Sequence, residues 1–297
     1  QKQSSNLSHI YRFIPTTEVI DILGEQGWVP TQAVQTKSRK GYEDKIPYKK
    51  HMIRFRNQNN QVISEEIGDT HPEIVLTNSH DGTSSFKFHV GLFRLVCSNG
   101  LVIADKTFDQ FRVMHKGFQK NDVLKAISMT TEKIPYVVGN VQDMMAKELS
   151  KSQQYDFAKI AAEQRWGEDK LIDLNQMLQV RRMEDAGDDL WSVFNRVQEN
   201  MLQGGILTVT PKENGKVRNS RSRAIRSIDQ NLEVNKMLWT NYINFSCFLT
   251  YHLTFTYLVF IFLCQFYTIY KYFFVKITCI HNSFYQWKYL IFIDIHT

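Results

Sequence analysis

The residue types that could carry out chemistry are concentrated between Glu73 and Gly117. A thiol, three imidazoles, a carboxylate and an amide occur there, at Cys97, His80, His89, His115, Asp81 and Asn99. A thiolate nucleophile needs a nearby base and a group that orients the base, and these residue types could supply all three. Their spacing matches no peptidase signature, and a lone cysteine in an apolar run is more typical of a small buried residue. An enzyme centred on Cys97, or on His80 and His115, therefore stays open with no catalytic residue assigned.

No metal or other cofactor is predicted. His80, Asp81 and His115 are ligand types, but the chain has no HExxH or CxxC spacing, and a tight turn at Asp81-Gly82 explains that dipeptide better. Neither a GxxxxGK[ST] phosphate loop nor a GxGxxG strand-turn-helix is present. The sequence thus gives no support to nucleotide hydrolysis.

The composition is that of a chain able to bury one substantial core. Its 297 residues are 43% hydrophobic and 22% charged, with a formal net charge of +6. Residues 240–297 hold three of the four cysteines and three lysines against one aspartate, which leaves residues 1–239 with one cysteine and a net charge of +4. A single cysteine cannot build a disulfide framework, so we expect a reducing, cytoplasmic setting for a mildly basic body.

Residues 11–118 are predicted to be rich in strands. A short helix over residues 18–23, capped by Thr16 or Thr17, is expected ahead of the strands. Apolar alternation and turn signals predict strands at His51–Arg56, Glu73–Thr77, Phe86–Val90, Leu101–Ile103 and Phe111–His115. Gly91–Ser98 is interpreted as a short helix that ends at Asn99-Gly100, with one arm of a hairpin as the alternative.

Basic side chains line one face of this predicted sheet. Alternation places Arg54 and Arg56 together on one face of their strand and Lys87 with His89 on one face of another. The candidate basic face comprises Arg54, Arg56, Lys87, Arg94 and Arg112. Such a face is either simply solvated or in contact with phosphate groups.

Residues 119–205 are predicted to be helical. Helices are expected at residues 122–129 and 133–149, and a third is expected to run from a cap at Ser150 or Ser152 to Gly167. A fourth is expected at residues 188–203, where Asp188 and Asp189 precede the apolar stripe and Gly204-Gly205 ends the helix. A mostly antiparallel sheet in the N-terminal half followed by a helical C-terminal half predicts an α+β fold. We expect one domain over residues 1–239.

A basic stretch lies within the last part of this domain, residues 206–239. Between Lys212 and Arg226 there are six basic residues and one acid, with little to bury. It is interpreted either as a solvated loop or as a flexible arm that follows a phosphate backbone, and the cations we assign to such an arm are Lys216, Arg218, Arg221 and Arg223. A final helix is expected to begin near Ser227.

Two short motifs carry a resemblance to a known family. Asn78-Ser79-His80-Asp81-Gly82, followed by Arg94, Cys97 and Asn99-Gly100, resembles the prophage- and plasmid-encoded family called domain of unknown function 932. The similarity spans roughly residues 11–239, because Asp189-Leu190-Trp191 and the run from Asn195 to Asn200 also match. The resemblance implies a mobile genetic element, and it implies further sequence ahead of Tyr11, so we expect a truncated N-terminus.

Residues 240–297 differ from the rest of the chain. They contain no Ala, Gly, Pro, Arg or Glu, whereas Phe, Tyr, Ile and Thr abound. Translation of AT-rich DNA after a frameshift or readthrough explains this bias. The alternative is a membrane anchor, because residues 237–270 carry no charge and exceed the roughly 20 residues needed to span a bilayer. A membrane partner follows only if this tail is native.

Three functions remain open on the sequence. The charge distribution favours an accessory protein of a prophage or plasmid that binds nucleic acid through its phosphate backbone, for instance in replication or recombination. The alternatives are the enzyme described above and a protein-binding antagonist of a host defence system. The sequence leaves homo-oligomer formation open.

Overall fold

The computed structural model of the chain describes residues 7, 11, 13–57, 70–94, 102–103, 112–113, 120–212 and 215–246. These residues have the predicted α+β organisation, with an antiparallel sheet in the N-terminal half and helices after it. Residues Gln1–Ile243 form one compact unit. Of the second unit, Asn244–Thr297, residues 244–246 are described and are helical. The predicted origin of the tail therefore concerns residues that lie almost entirely outside the described part of the chain.

The N-terminal sheet is preceded by helix α1, Thr16–Glu25. Its strands are β1 Trp28–Gln35, β2 His51–Asn57, β3 Thr70–Asn78, β4 Phe86–Arg94, β5 Val102–Ile103 and β6 Arg112–Val113. Over the described residues the order is β1-β2-β3-β4-β5, with β6 also paired with β4, and these pairings are antiparallel. The five strands expected from alternation are confirmed where their residues are described, and the predicted strand residues Leu101, Phe111, Met114 and His115 lie outside the described ranges.

Strand β4 is longer than predicted. The helix expected over residues 91–98 is wrong at 91–94, because β4 continues through Arg94, which lies opposite Thr70 of β3. Phe88, Val90 and Leu92 keep the period of two that a strand requires, and all three are buried. Residues 95–98 lie outside the described ranges.

Both faces of this sheet are covered at its centre. Phe55, Ile74 and Phe88 are fully buried on one face. The opposite face holds Arg54 and His89, which are also buried, at 4% and 2% exposure. The prediction of a solvent-exposed basic face is therefore wrong at these positions.

A buried ion pair explains how an arginine can lie there. Arg54 Nε donates to Glu73 Oε2 at 2.5 Å, and Arg56 Nη2 donates to Glu73 Oε1 at 3.0 Å. Arg54 also donates from Nη1 to Gln32 Oε1 at 2.7 Å. Glu73 has no exposed surface, so its carboxylate is balanced by the two guanidinium groups rather than by water.

The helical half follows the predicted pattern. Its helices are α2 Lys120–Thr131, α3 Ile134–Met145, α4 Lys151–Trp166, α5 Leu174–Met177, α6 Leu190–Gln203 and α7, residues 228–243 of this unit. Ser150 caps α4 in a reciprocal capping box with Gln153, and Asp189 caps α6 by accepting from the backbone N–H of Ser192. The first cap confirms Ser150, one of the two predicted caps, whereas α6 begins at Leu190, two residues later than the predicted start at Asp188.

Helix α6 is buried on all sides rather than along one stripe. Every residue from Leu190 to Leu202 is buried, including Arg196, Glu199 and Asn200. Arg196 donates to Gln154 Oε1, and Arg182 binds Glu199 at 3.0 Å. Hydrogen bonds and an ion pair thus satisfy polar groups that the core would otherwise exclude.

Helix α7 continues past residue 239, where the domain was predicted to end. Tyr242 is 4% exposed, its hydroxyl donates to the Asn140 carbonyl at 3.3 Å, and its ring lies 5.3 Å from that of Trp239. Tyr242 therefore contributes to the core of the first unit. Across the described residues no helix is long and apolar enough to cross a bilayer.

A second, small sheet lies between α4 and α7 in sequence. It comprises β7 Leu171–Ile172, β8 Leu207–Pro211 and β9 Val217–Arg221, in that order and antiparallel. The interpretation of residues 212–226 as a loop or flexible arm is therefore wrong over β9, because five of these residues pair with β8. We call residues 207–221 the basic hairpin.

Gly204 fixes the base of the basic hairpin against α6. Its φ is +70°, and a Cβ on it would lie 2.6 Å from the Arg223 carbonyl carbon and 2.7 Å from the Ala224 nitrogen. Both the backbone conformation and the close approach therefore require glycine.

The buried Glu73 carboxylate predicts a large loss of stability when its charge is removed. Glu73→Gln leaves two guanidinium groups beside a neutral amide, and we expect the free energy of unfolding in urea to fall by about 3–5 kcal/mol. Lys159→Ala, which breaks the exposed Lys159–Glu163 pair, is the control and should cost less than about 1 kcal/mol. Equal losses in the two variants would contradict a structural role for Glu73.

A matched pair of glycine variants tests the packing at Gly204. Gly204→Ala should lower the free energy of unfolding by more than about 1 kcal/mol, because the added methyl meets backbone at a positive φ. Gly139→Ala, within α3 and with nothing within 4 Å of the new methyl, should raise it by up to about 1 kcal/mol. Thermal or urea unfolding of both variants measures these opposite signs, and a neutral Gly204→Ala would show that the contact is dispensable.

Candidate functional site

The Asn78–Gly82 motif forms the end of β3 and the turn that follows it. Asp81 Oδ1 accepts from the backbone N–H of Thr83 at 3.1 Å, and Gly82 has a φ of +76°. The predicted turn at this dipeptide is confirmed. Ser79 Oγ accepts from the backbone N–H of Ser84 at 2.9 Å, which closes the other side of the turn.

Thr16 lies at the centre of a buried polar network beneath this turn. Its Oγ1 is 2.8 Å from His51 Nε2, 3.3 Å from His80 Nε2 and 3.2 Å from the Asn78 amide nitrogen. His51 Nδ1 lies 3.2 Å from the Lys49 carbonyl, which can only accept, so the ring nitrogen there carries the proton and Nε2 is the acceptor. Thr16 then donates to His51 and accepts from Asn78 and His80.

The two imidazoles are enclosed rather than open to solvent. The His51 and His80 rings lie 5.2 Å apart, and the Phe13 ring lies 4.7 Å from His80. His80 is 1% exposed. Burial lowers the pKa of His51, and the hydrogen bond to Lys49 offsets part of that effect. This network joins the start of α1 to the start of β2 and the end of β3. It therefore holds α1 against the sheet.

The sequence did not identify Thr16 and His51 as members of this group. The prediction that Thr16 or Thr17 caps α1 is wrong, because the helix begins at Thr16, Pro15 is at the cap position, and no side-chain capping bond is formed. His51 lies 35 residues from Thr16 and His80 lies 64 residues from it, so only the paired strands bring them together. The Thr16 hydroxyl forms its hydrogen bonds with the histidines instead of with the backbone at the start of α1.

Tyr11 covers the same turn. Its hydroxyl donates to the Ser79 carbonyl at 3.2 Å. Burial, with a smaller contribution from the nearby Asp81 carboxylate, raises the pKa of Tyr11 to about 12. The phenol is therefore a neutral donor at any physiological pH, which suits a positioning role rather than acid-base chemistry.

The other candidate catalytic residues are not brought together within the described residues. Cys97, Asn99, Gly100 and His115 lie outside them, so their predicted roles stay predictions. In the part of the chain that the structure describes, no three His, Cys, Asp or Glu side chains cluster as a metal site would require. His89 lies on β4 opposite Val75, away from the Thr16 network.

His89 is buried in a positively charged environment. Burial is the largest cause that lowers its pKa to about 3, and the Lys236 and Lys87 ammonium groups add to it. Lys236 belongs to α7, so this helix approaches the polar face of the sheet near β4. The imidazole is neutral at physiological pH.

The predicted phosphate-binding cations divide into two groups. Arg54 is buried against Glu73, and Arg56, with its side chain 28% exposed, binds the same carboxylate. Lys87 is half-buried, and the side chains of Arg94 and Arg112 lie outside the described part of the structure. By contrast, the cations of residues 216–226 are exposed: Lys216, Arg218, Arg221, Arg223 and Arg226.

The basic hairpin presents Lys216, Arg218 and Arg221 on a hydrogen-bonded backbone, and Arg223 and Arg226 follow it. All five residues of β9 are exposed. The turn at its tip is closed by hydrogen bonds from Lys212 N–H to the Lys216 carbonyl at 2.8 Å and from Gly215 N–H to the Lys212 carbonyl at 3.0 Å. Arg221 Nη1 donates to the Gly205 carbonyl at 2.7 Å and braces the base. Three exposed cations thus lie on a paired two-strand backbone, and two more follow it in sequence.

A comparison of the whole sequence with known protein families supports the resemblance that the two motifs indicated. The family model described as Domain of unknown function (DUF932) matches residues 4–239, well over half of the chain. The chain belongs to this family. The motif residues Asn78 to Gly82 and the polar helix α6 of this DUF932 protein both lie inside the matched range.

Two curated relatives from Escherichia coli (strain K12) extend the comparison. The protein is 36% identical over 237 residues to "UPF0380 protein YafZ" and 35% identical over 233 residues to "UPF0380 protein YfjQ". Each alignment covers 78% of this chain and 81% of the relative. No solved structure matches the DUF932 chain significantly.

The buried His89 predicts a specific pH dependence of stability. Because its folded pKa of about 3 lies below its usual value of 6.5, the unfolded chain binds the proton first as the pH falls. Stability is retained at pH 7 and should fall by about 1.4 kcal/mol per pH unit between pH 6 and pH 4 from this group alone. His51 acts in the same direction.

The measurement is urea unfolding of wild type and His89→Gln across pH 4–7. The variant lacks the titrating group, so its curve should be less steep than the wild-type curve over that range, while carboxylate titrations affect both proteins. Parallel curves would show that His89 is not the neutral, buried group described above.

Proposed function

We propose that this DUF932 protein is a nucleic-acid-binding accessory protein of a prophage or plasmid that contacts phosphate backbones. The observation that carries the proposal is the exposed, ordered group of cations on the basic hairpin and the segment that follows it. Phosphate contacts from lysine and arginine supply most sequence-independent affinity for nucleic acid, through the release of condensed counterions.

The position of these cations favours a role in binding over a role as simply solvated charges. Solvated charges are commonly of both signs and lie on mobile side chains of separate elements, whereas residues 212–226 hold six cations and one acid. Arginines are four of the six, and the planar guanidinium matches phosphate oxygens with two parallel hydrogen bonds. The hairpin also holds its backbone in place before any ligand binds.

The Thr16 network and the Glu73 ion pair support the same assignment of roles. They place the histidines and Arg54 inside the protein, where they stabilise the sheet. Among the candidate phosphate-binding cations whose side chains are described, the exposed ones are therefore Lys216, Arg218, Arg221 and Arg223. Replication or recombination in the cytoplasm is the setting that the family resemblance and the cysteine content favour.

A salt titration of binding tests the proposal. Each neutralised phosphate contributes about −0.7 to the slope of log affinity against log salt for a single strand and about −0.9 for B-form DNA. Changing Lys216, Arg218, Arg221 and Arg223 together to Ala should therefore weaken binding on all sequences alike and make the slope less negative by about 3.

The control removes four exposed cations elsewhere: Lys37, Arg39, Lys40 and Lys45. This variant has the same net charge as the hairpin variant and should keep nearly the wild-type slope. Fluorescence polarisation with labelled single-stranded and duplex DNA at several salt concentrations measures all three proteins. An equal loss in both variants, or no wild-type binding to either form of DNA at low salt, would refute the proposal.

A further inference from the structure

We infer that the protein forms a two-fold dimer in which the outer edge of β1 pairs with the same edge of a second copy. The inference does not depend on the proposed function, because β1 and the basic hairpin belong to different sheets. It follows from the exposure of β1, from the direction of its main-chain groups and from the charges on either side of it.

Strand β1 is an edge strand that is uncovered on both faces. Its pairing partner among the described residues is β2, and it ends the strand order of the N-terminal sheet. Residues 30–35 of β1 are all exposed. Successive side chains of a strand point to opposite faces, so this exposure means that both faces of β1 are open. Ile53, Arg54 and Phe55 of β2 are buried by contrast, so the layers that cover β2 do not extend over β1.

The main chain of β1 presents hydrogen-bonding groups along its outer edge. Thr36 N–H donates to the Lys50 carbonyl at 2.9 Å, in the register that pairs Gln35 with His51. In an antiparallel pair, residues that bond the neighbouring strand alternate with residues whose N–H and C=O point the other way. The main-chain groups of Ala33 and Gln35 therefore point away from β2, towards the open edge. Such an edge is a template for a further strand.

Strand β1 also lacks the charges that commonly prevent edge-to-edge pairing. Residues 26–36 contain no Asp, Glu, Lys or Arg. The exposed strand β9 of the small sheet carries Arg218 and Arg221, which would repel the same residues of a second copy. The edge of β1 can therefore meet its own copy without placing like charges opposite each other, whereas the edge of β9 cannot.

Charges on either side of this uncharged run favour a second copy in antiparallel orientation. Helix α1, which precedes β1, has no basic residue and three exposed acidic residues: Glu18, Asp21 and Glu25. The segment after β1 has three exposed cations: Lys37, Arg39 and Lys40. Antiparallel pairing about a two-fold axis brings the basic end of one copy to the acidic end of the other. Parallel pairing would instead place like charges side by side.

Val34 indicates the register of this pairing. It is 38% exposed and lies in the regular part of β1, after the bulge between Pro30 and Gln32. A register with Val34 opposite Val34 of the second copy buries both side chains and pairs Ala33 of each copy with Gln35 of the other. The outward-pointing groups then form about four main-chain hydrogen bonds. So short an interface is smaller than the roughly 1,200 Å² of standard complexes, so we expect a dissociation constant in the micromolar range.

The first test is sedimentation velocity of the intact chain without nucleic acid. Over concentrations of about 1 to 100 µM, the wild type should shift from monomer to dimer. A wild type that stays monomeric would overturn the inference, and the β1 edge would then be left to a strand of another protein. Because the measurement contains no nucleic acid, its failure is separate from a failure of the salt titration, which concerns the hairpin.

A pair of opposite charges at Val34 tests the two-fold contact. Val34→Lys and Val34→Asp each place like charges face to face, so each variant alone should dimerise at least about tenfold more weakly than wild type. An equimolar mixture brings the opposite charges together and should restore the dimer, which also shows that both variants are folded. Val217→Lys changes an exposed valine on β9 in the same way and should dimerise like wild type. A dimer that persists in both single variants, or a mixture that stays monomeric, would overturn pairing through β1.

Discussion

The N-terminal sheet depends on one buried carboxylate. Glu73 lies at the pairing of β2 and β3 with no exposed surface, and it neutralises one fully buried guanidinium and one partly buried guanidinium. A slip of β3 by one residue relative to β2 would turn Glu73 towards the apolar face and leave Arg54 without an anion. The ion pair thus selects one register among those that apolar alternation alone would permit. It also explains why the sheet can bury polar residues on its second face.

The elements of the fold were largely readable from the sequence because their signals are local. Ser150 and Gly204 mark helix ends through bonds that span only a few residues, and both act as predicted. The burial of Arg54 was not readable, because it depends on Glu73, 19 residues away, which meets Arg54 only after β2 and β3 pair. The Thr16 network escaped prediction for the same reason, since its members meet only after β2 and β3 pair.

The basic hairpin is a different case, because a signal for it was present. Asn214-Gly215 is the dipeptide most typical of a two-residue hairpin turn, and it lies between the runs that become β8 and β9. The run after it lacks apolar alternation, so a reading based on hydrophobicity describes it as a loop. Its strand structure comes instead from main-chain pairing with β8, for which an exposed strand needs no apolar side chains. The cations were identified from the sequence, but the rigid backbone that presents them was not.

The contact at Gly204 bears on the thermodynamics of the binding that we propose for the basic hairpin. Because the end of α6 touches the backbone at Arg223 and Ala224, the root of the hairpin is clamped to the most deeply buried helix of the unit. A flexible basic arm loses conformational entropy when it becomes ordered on a ligand, and that loss is subtracted from its affinity. A clamped ribbon has already undergone this ordering when the chain folds. Association of such a ribbon with a polyanion should accordingly proceed without coupled folding and with the small heat-capacity change of a rigid, polar interface.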